Sequence, residues 1–325
     1  MPRAIRIYET GGPEVMRLEE VEVGAPGAGE VQLHHTAIGL NFIDVYDRNG
    51  LYTQALPAGL GREAAGVVSA LGKGVRGFRI GDRVAYVMAP AGAYAQLRNV
   101  PARLLVRIPA GVSDEQAAVL MLKGGTACYL LRHAYRVKRG DVIVVHAAAG
   151  GVGMFLAQWG RKLGATVIGI VGSEEKVALA KKNGCKHVLV RGRVGIAEQV
   201  KKISKGPGAH VVYDGVGKDT FFESLDCLRR RGLLASYGNA SGPVAPFSPA
   251  ELAKRGSLYL TRPVMMDYTA TRAELESIAR ETFAAARKKW IKVQINQRYK
   301  LADVAQAHRD LEARKTTGAS VILPA

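Results

Sequence analysis

Cysteine is scarce in this chain of 325 residues: there are three, Cys128, Cys185 and Cys227, widely separated and odd in number. No CxxC pair is present, which argues against a disulfide framework and a sulfur-rich zinc site and suits a reducing compartment. Long apolar runs are also missing. Runs such as Val142 to Val145 are of strand length, far below the roughly 18 residues of a membrane span. The N-terminus, Met1-Pro2-Arg3-Ala4-Ile5-Arg6, has no apolar core of signal-peptide length, so no membrane association and a cytoplasmic location are expected. Aromatic residues make up only 6%, with no interleaving of aromatic and basic residues of the kind that stacks and holds RNA. Acids are outnumbered, 28 against 46 Lys and Arg, for a net charge of +18. That excess favours polyanionic ligands such as nucleotide phosphates, or serves as a solubilising surface bias.

What is present falls into two textures. The first third reads as β-rich. Glu30 to Ala37 and Arg79 to Tyr86 partly alternate, and turn-forming glycines and prolines recur at Gly11-Gly12-Pro13, Gly24 to Gly29, Gly59 to Gly61 and Gly72 to Gly77. From about residue 123 strands alternate with helices. Asp141 to His146 is a buried-strand run, followed by a glycine-rich turn, an amphipathic stretch from Gly153 to Leu163, and a second buried strand, Ala165 to Val171. Glu174 to Asn183 reads as a helix closed by Gly184. Shorter strands are expected at His187–Val190, His210–Tyr213 and Leu233–Ser236. Such alternation specifies an α/β fold with a parallel sheet. The tail offers a helix over Ala273–Trp290, then Val293–Tyr299, a helix over Leu301–Arg314 and a final strand at Ser320–Leu323, which we read as the chain returning to complete the first domain.

The turn Ala148-Ala149-Gly150-Gly151-Val152-Gly153 lies between strand and helix inside a βαβ unit, the context that the dinucleotide fingerprint G-x-G-x-x-G requires. Gly150, Gly151 and Val152 would bring bare backbone to a diphosphate, Gly153 would let the helix pack on the strand, and the helix N-terminus would supply N–H groups and a positive dipole end. An NAD site places an acid at the end of the second strand; this chain has Val171-Gly172-Ser173 there. Nine basic residues lie from Lys176 to Lys205, with one acid, Glu198. NADPH is therefore favoured, with Ser173, Lys176 and Arg191 as the expected clamp on its 2′-phosphate. Glu174 and Glu175 stand close by, and either could take a ribose hydroxyl instead.

Several segments together carry a family resemblance: His146 to Gly153 continuing to Gln158, Gly11-Gly12-Pro13-Glu14-Val15, Gly39-Leu40-Asn41-Phe42-Ile43-Asp44, Gly50-Leu51-Tyr52, Gly81-Asp82-Arg83-Val84, Val212 to Gly217, and Ser236-Tyr237-Gly238-Asn239. Across essentially its whole length the chain resembles the quinone oxidoreductase (zeta-crystallin) branch of the zinc-free medium-chain dehydrogenase/reductase superfamily. The resemblance implies a GroES-like β-rich domain (1–122 and 263–325), a Rossmann domain with a doubly wound parallel sheet that binds NADPH (123–262), and a homodimer. It implies catalytic roles for Asn41, Tyr46 and Tyr52, and cofactor contacts from Asn41, Lys123, Thr126, Val216, Asn239, Arg262 and Arg314. No metal is expected: Gly61-Arg62-Glu63 stands where zinc-dependent relatives carry Gly-His-Glu, and no cysteine precedes Cys128. At Arg191 the related enzymes commonly show tyrosine. The activity implied is reduction of a quinone by NADPH. Reduction of α,β-unsaturated ketones or aldehydes is the alternative, and needs an acid for the α-carbon, for which Tyr52 is the candidate. RNA binding is a third reading, supported by the +18 charge and expected to be weak and salt-dependent.

Overall fold

The computed structural model describes residues 1–193 and 195–324. Val194, within the basic stretch, and Ala325, at the end of the expected first domain, lie outside the described residues. The chain forms two compact units. One comprises Met1–Gly125, Thr269–Arg287 and Val293–Ala325; the other comprises Thr126–Tyr268 and Lys288–Lys292.

The first unit is β-rich. Its strand Glu30–Gly39 alternates as a half-buried strand should, with Val31, Leu33, His35 and Ala37 inside and His34 and Thr36 exposed. It pairs antiparallel with Glu63–Leu71, Leu97–Pro101 and, near its end, Ala319–Leu323. The C-terminal segment thus returns to the first sheet, with Ile322 opposite Ile38. Arg79–Tyr86 was expected to run as one strand, but the strand starts only at Arg83. The Asp82 carboxylate accepts from the Arg79 N–H at 2.9 Å and Gly81 takes a φ of +90°, so the first four residues make a turn. The core gathers Ile7, Leu33, Ile38, Leu60, Tyr86, Val100 and Ile322.

The tail helix is shorter than the expected Ala273–Trp290: it spans Arg272–Arg287. Leu275, Ile278, Ala279, Thr282 and Phe283 form its buried stripe, spaced three and four apart. Lys289 adopts a φ of +56°, which a right-handed helix does not permit, and this stops it.

The second unit is built on six parallel strands. Their spatial order is His187–Val190, Thr166–Val171, Val142–Val145, Ala209–Asp214, Leu228–Ser236 and Tyr259–Thr261. Numbered along the chain this is 3-2-1-4-5-6, the doubly wound Rossmann order. The order reverses between Val142–Val145 and its neighbour Ala209–Asp214, and ligands of such sheets bind beyond the carboxyl ends of the strands at that point. Val142–Val145 is apolar throughout because both its faces are covered. The helical stretch after the second strand opens with a 3-10 turn, Glu174–Lys176, continues as Val177–Lys182, and ends before Gly184, whose φ is +105°. Among the described residues no helix is long and apolar enough to cross a membrane.

Candidate active site

In the Rossmann unit, the glycine turn leaves the carboxyl end of Val142–Val145 at the reversal point. The His146 N–H bonds to the Tyr213 carbonyl (3.0 Å) and the Ala148 N–H to the Ile170 carbonyl (3.1 Å), so the turn is tied to both neighbouring strands. Gly150 is the N-cap of the helix Gly151–Lys162, with extended backbone and no side-chain cap. The N–H groups of the first turn therefore remain available to an external anion. A β-carbon on Gly153 would lie 2.2 Å from the Ala147 carbonyl oxygen, which is why this position cannot carry a side chain.

Beneath the cradle, Asp214 is fully buried. It accepts from the Thr220 hydroxyl (2.7 Å), the Ser224 hydroxyl (2.8 Å) and the N–H groups of Val216 and Gly217 (2.8 and 3.2 Å). Since Ser224 donates to Asp214, its oxygen takes the proton of His146 Nε2 at 2.9 Å. Burial lowers the pKa of His146, so the ring is a neutral prop. This network fixes the loop that carries Val216. The loop of Asn239 packs on it, the Ser241 N–H bonding to the Val216 carbonyl at 2.8 Å.

At the end of the second strand, the Arg191 N–H bonds to the Val171 carbonyl at 3.0 Å, which brings Arg191 beside Gly172 and Ser173. Its guanidinium forms a loose ion pair, 3.6 Å from Asp219. Glu174, the acid that could have competed for a ribose, is held by Arg193 at 3.0 Å. Lys176 ends the 3-10 turn that Ser173 caps. Thr126 is buried one turn before Tyr129, which stacks on Tyr268 at 4.4 Å. Arg262 follows the sixth strand.

The β-rich unit holds the other residues. Asn41 caps the short helix Phe42–Arg48, and its side chain meets two charges. Its Oδ1 accepts from Lys123 Nζ at 2.7 Å, and its Nδ2 donates to Glu63 Oε1 at 2.8 Å. Lysine only donates and carboxylate only accepts, so the amide has one possible orientation. Glu63 also accepts from Lys123 Nζ (3.2 Å) and from the Leu122 N–H (2.6 Å). Burial raises the Glu63 pKa, while the Lys123 ammonium and the donors from Asn41 and Leu122 pull against it. All its partners are donors, the surroundings of a carboxylate. Lys123 was expected to open the nucleotide-binding domain; in the structure it belongs to the β-rich unit, because the π-helical segment Leu120–Gly124 turns it toward Asn41 and Glu63. Gly39 makes room: a β-carbon there would sit 2.2 Å from Glu63 Oε1.

On the same short helix, the Tyr46 ring meets Tyr52 edge-on at 5.3 Å and Phe42 at 5.8 Å. Asp44 accepts from the Asn41 N–H (2.9 Å) and the Tyr94 hydroxyl (2.8 Å), and burial pushes its carboxyl up to about 7. A buried relay continues from Tyr94 to His308 Nε2 (3.1 Å), from His308 Nδ1 to Arg48 (3.1 Å), and from Arg48 to Glu312 by two bonds of 2.9 Å. Arg62, standing where a zinc-dependent enzyme would have histidine, forms a two-pronged pair with buried Asp47 at 2.7 Å. A guanidinium so engaged is permanently cationic and cannot ligate a metal. Arg314, just beyond the helix Val304–Glu312, is exposed and lies on a different element from Asn41, Tyr46, Tyr52 and Lys123.

Glu63, Asp44, Asp214 and His146 had no assigned role from sequence, although Asp44, Asp214 and His146 lie within segments that carry the resemblance and Glu63 within the Gly61-Arg62-Glu63 stretch where zinc-dependent relatives differ. The signal was a run of residue types; the missing information was which distant donors they meet.

Two family models match the chain: an alcohol dehydrogenase GroES-like domain over residues 27–110 and a zinc-binding dehydrogenase domain over residues 151–280. The chain is 46% identical to a quinone oxidoreductase of Pseudomonas aeruginosa over all of both chains. It is 44% identical to a 2-haloacrylate reductase of a Burkholderia species, covering 100% of this chain and 99% of that one. The crystal structure of Escherichia coli quinone oxidoreductase complexed with NADPH superposes with a TM-score of 0.97 at 44% identity, covering 99% of this chain and 100% of that one. The chain belongs to the quinone oxidoreductase family of the medium-chain dehydrogenase/reductase superfamily.

Proposed function

We propose that this protein is an NADPH-dependent oxidoreductase that reduces quinones without a metal. The observation that carries the proposal is the uncapped helix N-terminus at the point where the parallel sheet reverses its order. The solved Escherichia coli relative, at 44% identity, is complexed with NADPH. NADPH, when bound, supplies two electrons and a hydrogen as hydride. The chain's own residues do the rest. The N–H groups of Gly151 and Val152 receive the diphosphate, while Gly150, whose own N–H bonds to the Ala147 carbonyl at 2.8 Å, brings bare backbone beside it. Arg191, Ser173 and Lys176 take the 2′-phosphate, Arg191 because its ion pair with Asp219, at 3.6 Å, is loose enough to yield to a phosphate. Val216, Asn239, Thr126, Arg262 and Arg314 complete the cofactor contacts. Asn41, locked by Lys123 and Glu63, orients the nicotinamide end by hydrogen bonds, and Tyr46 and Tyr52 present hydroxyls to the substrate oxygen. The Lys123 charge favours the anionic oxygen that forms when a quinone accepts hydride. A quinone is electrophilic enough for orientation to supply most of the rate.

A second reading, reduction of an activated alkene, is favoured by one observation: a buried ammonium, Lys123, stands beside Asn41 and can supply the proton that an enone or acrylate needs at its α-carbon. The Burkholderia relative at 44% identity is named a 2-haloacrylate reductase. Turnover of 9,10-phenanthrenequinone against a simple enone separates the two. The cofactor assignment is tested by titrating NADPH and NADH into wild type and Arg191→Ala, followed by fluorescence. Wild type prefers NADPH and the variant narrows the gap; equal binding of both by wild type refutes the clamp. We also infer a homodimer. The strand Tyr259–Thr261 is an edge of the six-stranded sheet and exposes Tyr259 and Leu260, an edge suited to pairing with a second copy.

A further inference from the structure

The β-rich unit contains a cavity of about 810 Å³ that none of the residues assigned to cofactor or substrate lines. It lies between the tail helix Arg272–Arg287 and the segments 76–78 and 102–109, and its size falls within the range of about 300–1,000 Å³ typical of small-molecule sites. Six arginines line it: Arg76, Arg103, Arg107, Arg272, Arg280 and Arg287, with one acid, Glu276. Two of the six are used internally. Arg107 pairs with Asp82 at 2.9 Å, and Arg272 pairs with Glu276 at 2.7 Å and donates to the Arg103 and Leu105 carbonyls. Among the described residues, Arg76, Arg103, Arg280 and Arg287 have no acidic partner. Four uncompensated guanidiniums around one hollow repel each other unless an anion joins them.

The floor has the opposite character. Val106, Ala279 and Phe283 are buried, with Phe78 and Ala284 half-buried beside them, while all six arginines are exposed. The charges therefore stand around a recessed apolar surface. A ligand that satisfies both needs an anionic head and an apolar tail. Guanidinium forks bind carboxylate and phosphate heads in two-pronged fashion, and each buried methylene of a tail contributes roughly 0.8 kcal/mol. RNA fits poorly. Phe283 is buried and the Arg107 guanidinium lies 5.7 Å over the Phe78 ring, so no aromatic face is offered to a base. A flat bilayer surface fits poorly too, since the apolar part lies below the arginine rim.

We propose that this cavity is a second ligand site, for a free single-chain amphiphile with a carboxylate or phosphate head, of the fatty-acid type. The test is calorimetric titration of the whole protein with dodecanoate and dodecyl phosphate below their aggregation concentrations. Acetate, inorganic phosphate and dodecyl maltoside serve as head-only and tail-only probes, and phosphatidylglycerol vesicles as a membrane probe. Saturable binding of both amphiphiles is expected, at least tenfold tighter than any head-only or tail-only probe and weakened by salt. Arg103→Gln and Arg287→Gln each weaken it about tenfold, the scale of one charge-assisted hydrogen bond. NADPH-dependent turnover and Tm should stay at wild-type values, because neither side chain has an acidic partner to leave unpaired. Equal affinity for dodecyl maltoside, equal affinity for inorganic phosphate, binding to vesicles or RNA but not to the monomeric amphiphile, or indifference to both substitutions would each overturn the proposal.

Discussion

Replacing Glu63 with glutamine changes one atom and should unsettle the β-rich unit out of proportion to its size. Glu63 is fully buried, and both its oxygens face donors: Oε1 receives Asn41 Nδ2 and Lys123 Nζ, Oε2 receives the Leu122 N–H. A glutamine must point its NH₂ at one of these sets, donor against donor, and leaves the Lys123 ammonium buried without its counter-charge. Breaking a buried ion pair from one side costs about 3–5 kcal/mol. At about 2–4 °C per kcal/mol for a unit of this size, Tm should fall by roughly 6–20 °C. The same change frees the Asn41 amide, and kcat/KM with NADPH and phenanthrenequinone should drop by about a hundredfold, the scale of an ångström-level misplacement. The decisive control is Glu63→Gln combined with Lys123→Met. With the stranded ammonium gone, the double variant should melt above Glu63→Gln alone while remaining catalytically impaired. Calorimetry and steady-state kinetics read both quantities. If the two substitutions destabilise additively, or if Glu63→Gln melts with wild type, the ion-paired triad is not what holds Asn41.

Three further outcomes follow from the same structure. Gly153→Val should lose NADPH binding by at least about tenfold, because a β-carbon there meets the Ala147 carbonyl at 2.2 Å and must distort the turn; fluorescence titration measures it. Asp44 is pushed up to about 7, so the folded state holds its proton where the unfolded chain has released it. Its contribution to stability is full below about pH 4 and is lost as pH rises through 7, and Asp44→Asn should gain on wild type by up to about 4 kcal/mol between those limits, read from denaturant melts at each pH. Arg191→Ala should weaken NADPH binding by about tenfold or more and leave NADH binding within about twofold, the difference a single charge-assisted bond makes.

Local sequence carried the features whose causes are local. The glycine turn, the apolar run Val142–Val145 and the alternation of strands with helices each occupy a few consecutive residues, and they specify the parallel sheet and its cradle. The Arg191 position was legible for a related reason, since it closes a strand, His187–Val190, that must pair with the strand before Ser173. The buried cluster around Asn41 was legible only as residue types. Glu63 meets Asn41 across 22 residues and Lys123 across 60, and Asn41 meets Lys123 across 82, so no periodicity or spacing encodes the triad. The relay Tyr94–His308–Arg48–Glu312 is more distant still, with up to 264 residues between partners. Two boundary errors have local causes visible only in the backbone. Lys289 turns to positive φ inside a composition that otherwise suits a helix, and Gly81 turns at the start of an apparently alternating strand.

The claim on which the account rests is that backbone N–H groups at the start of Gly151–Lys162 hold the cofactor diphosphate. A crystal structure of the protein grown with NADPH tests it most directly. The account predicts diphosphate density over Gly150, Gly151 and Val152, with the 2′-phosphate against Arg191. A bound nucleotide elsewhere, with that turn bare, would contradict it.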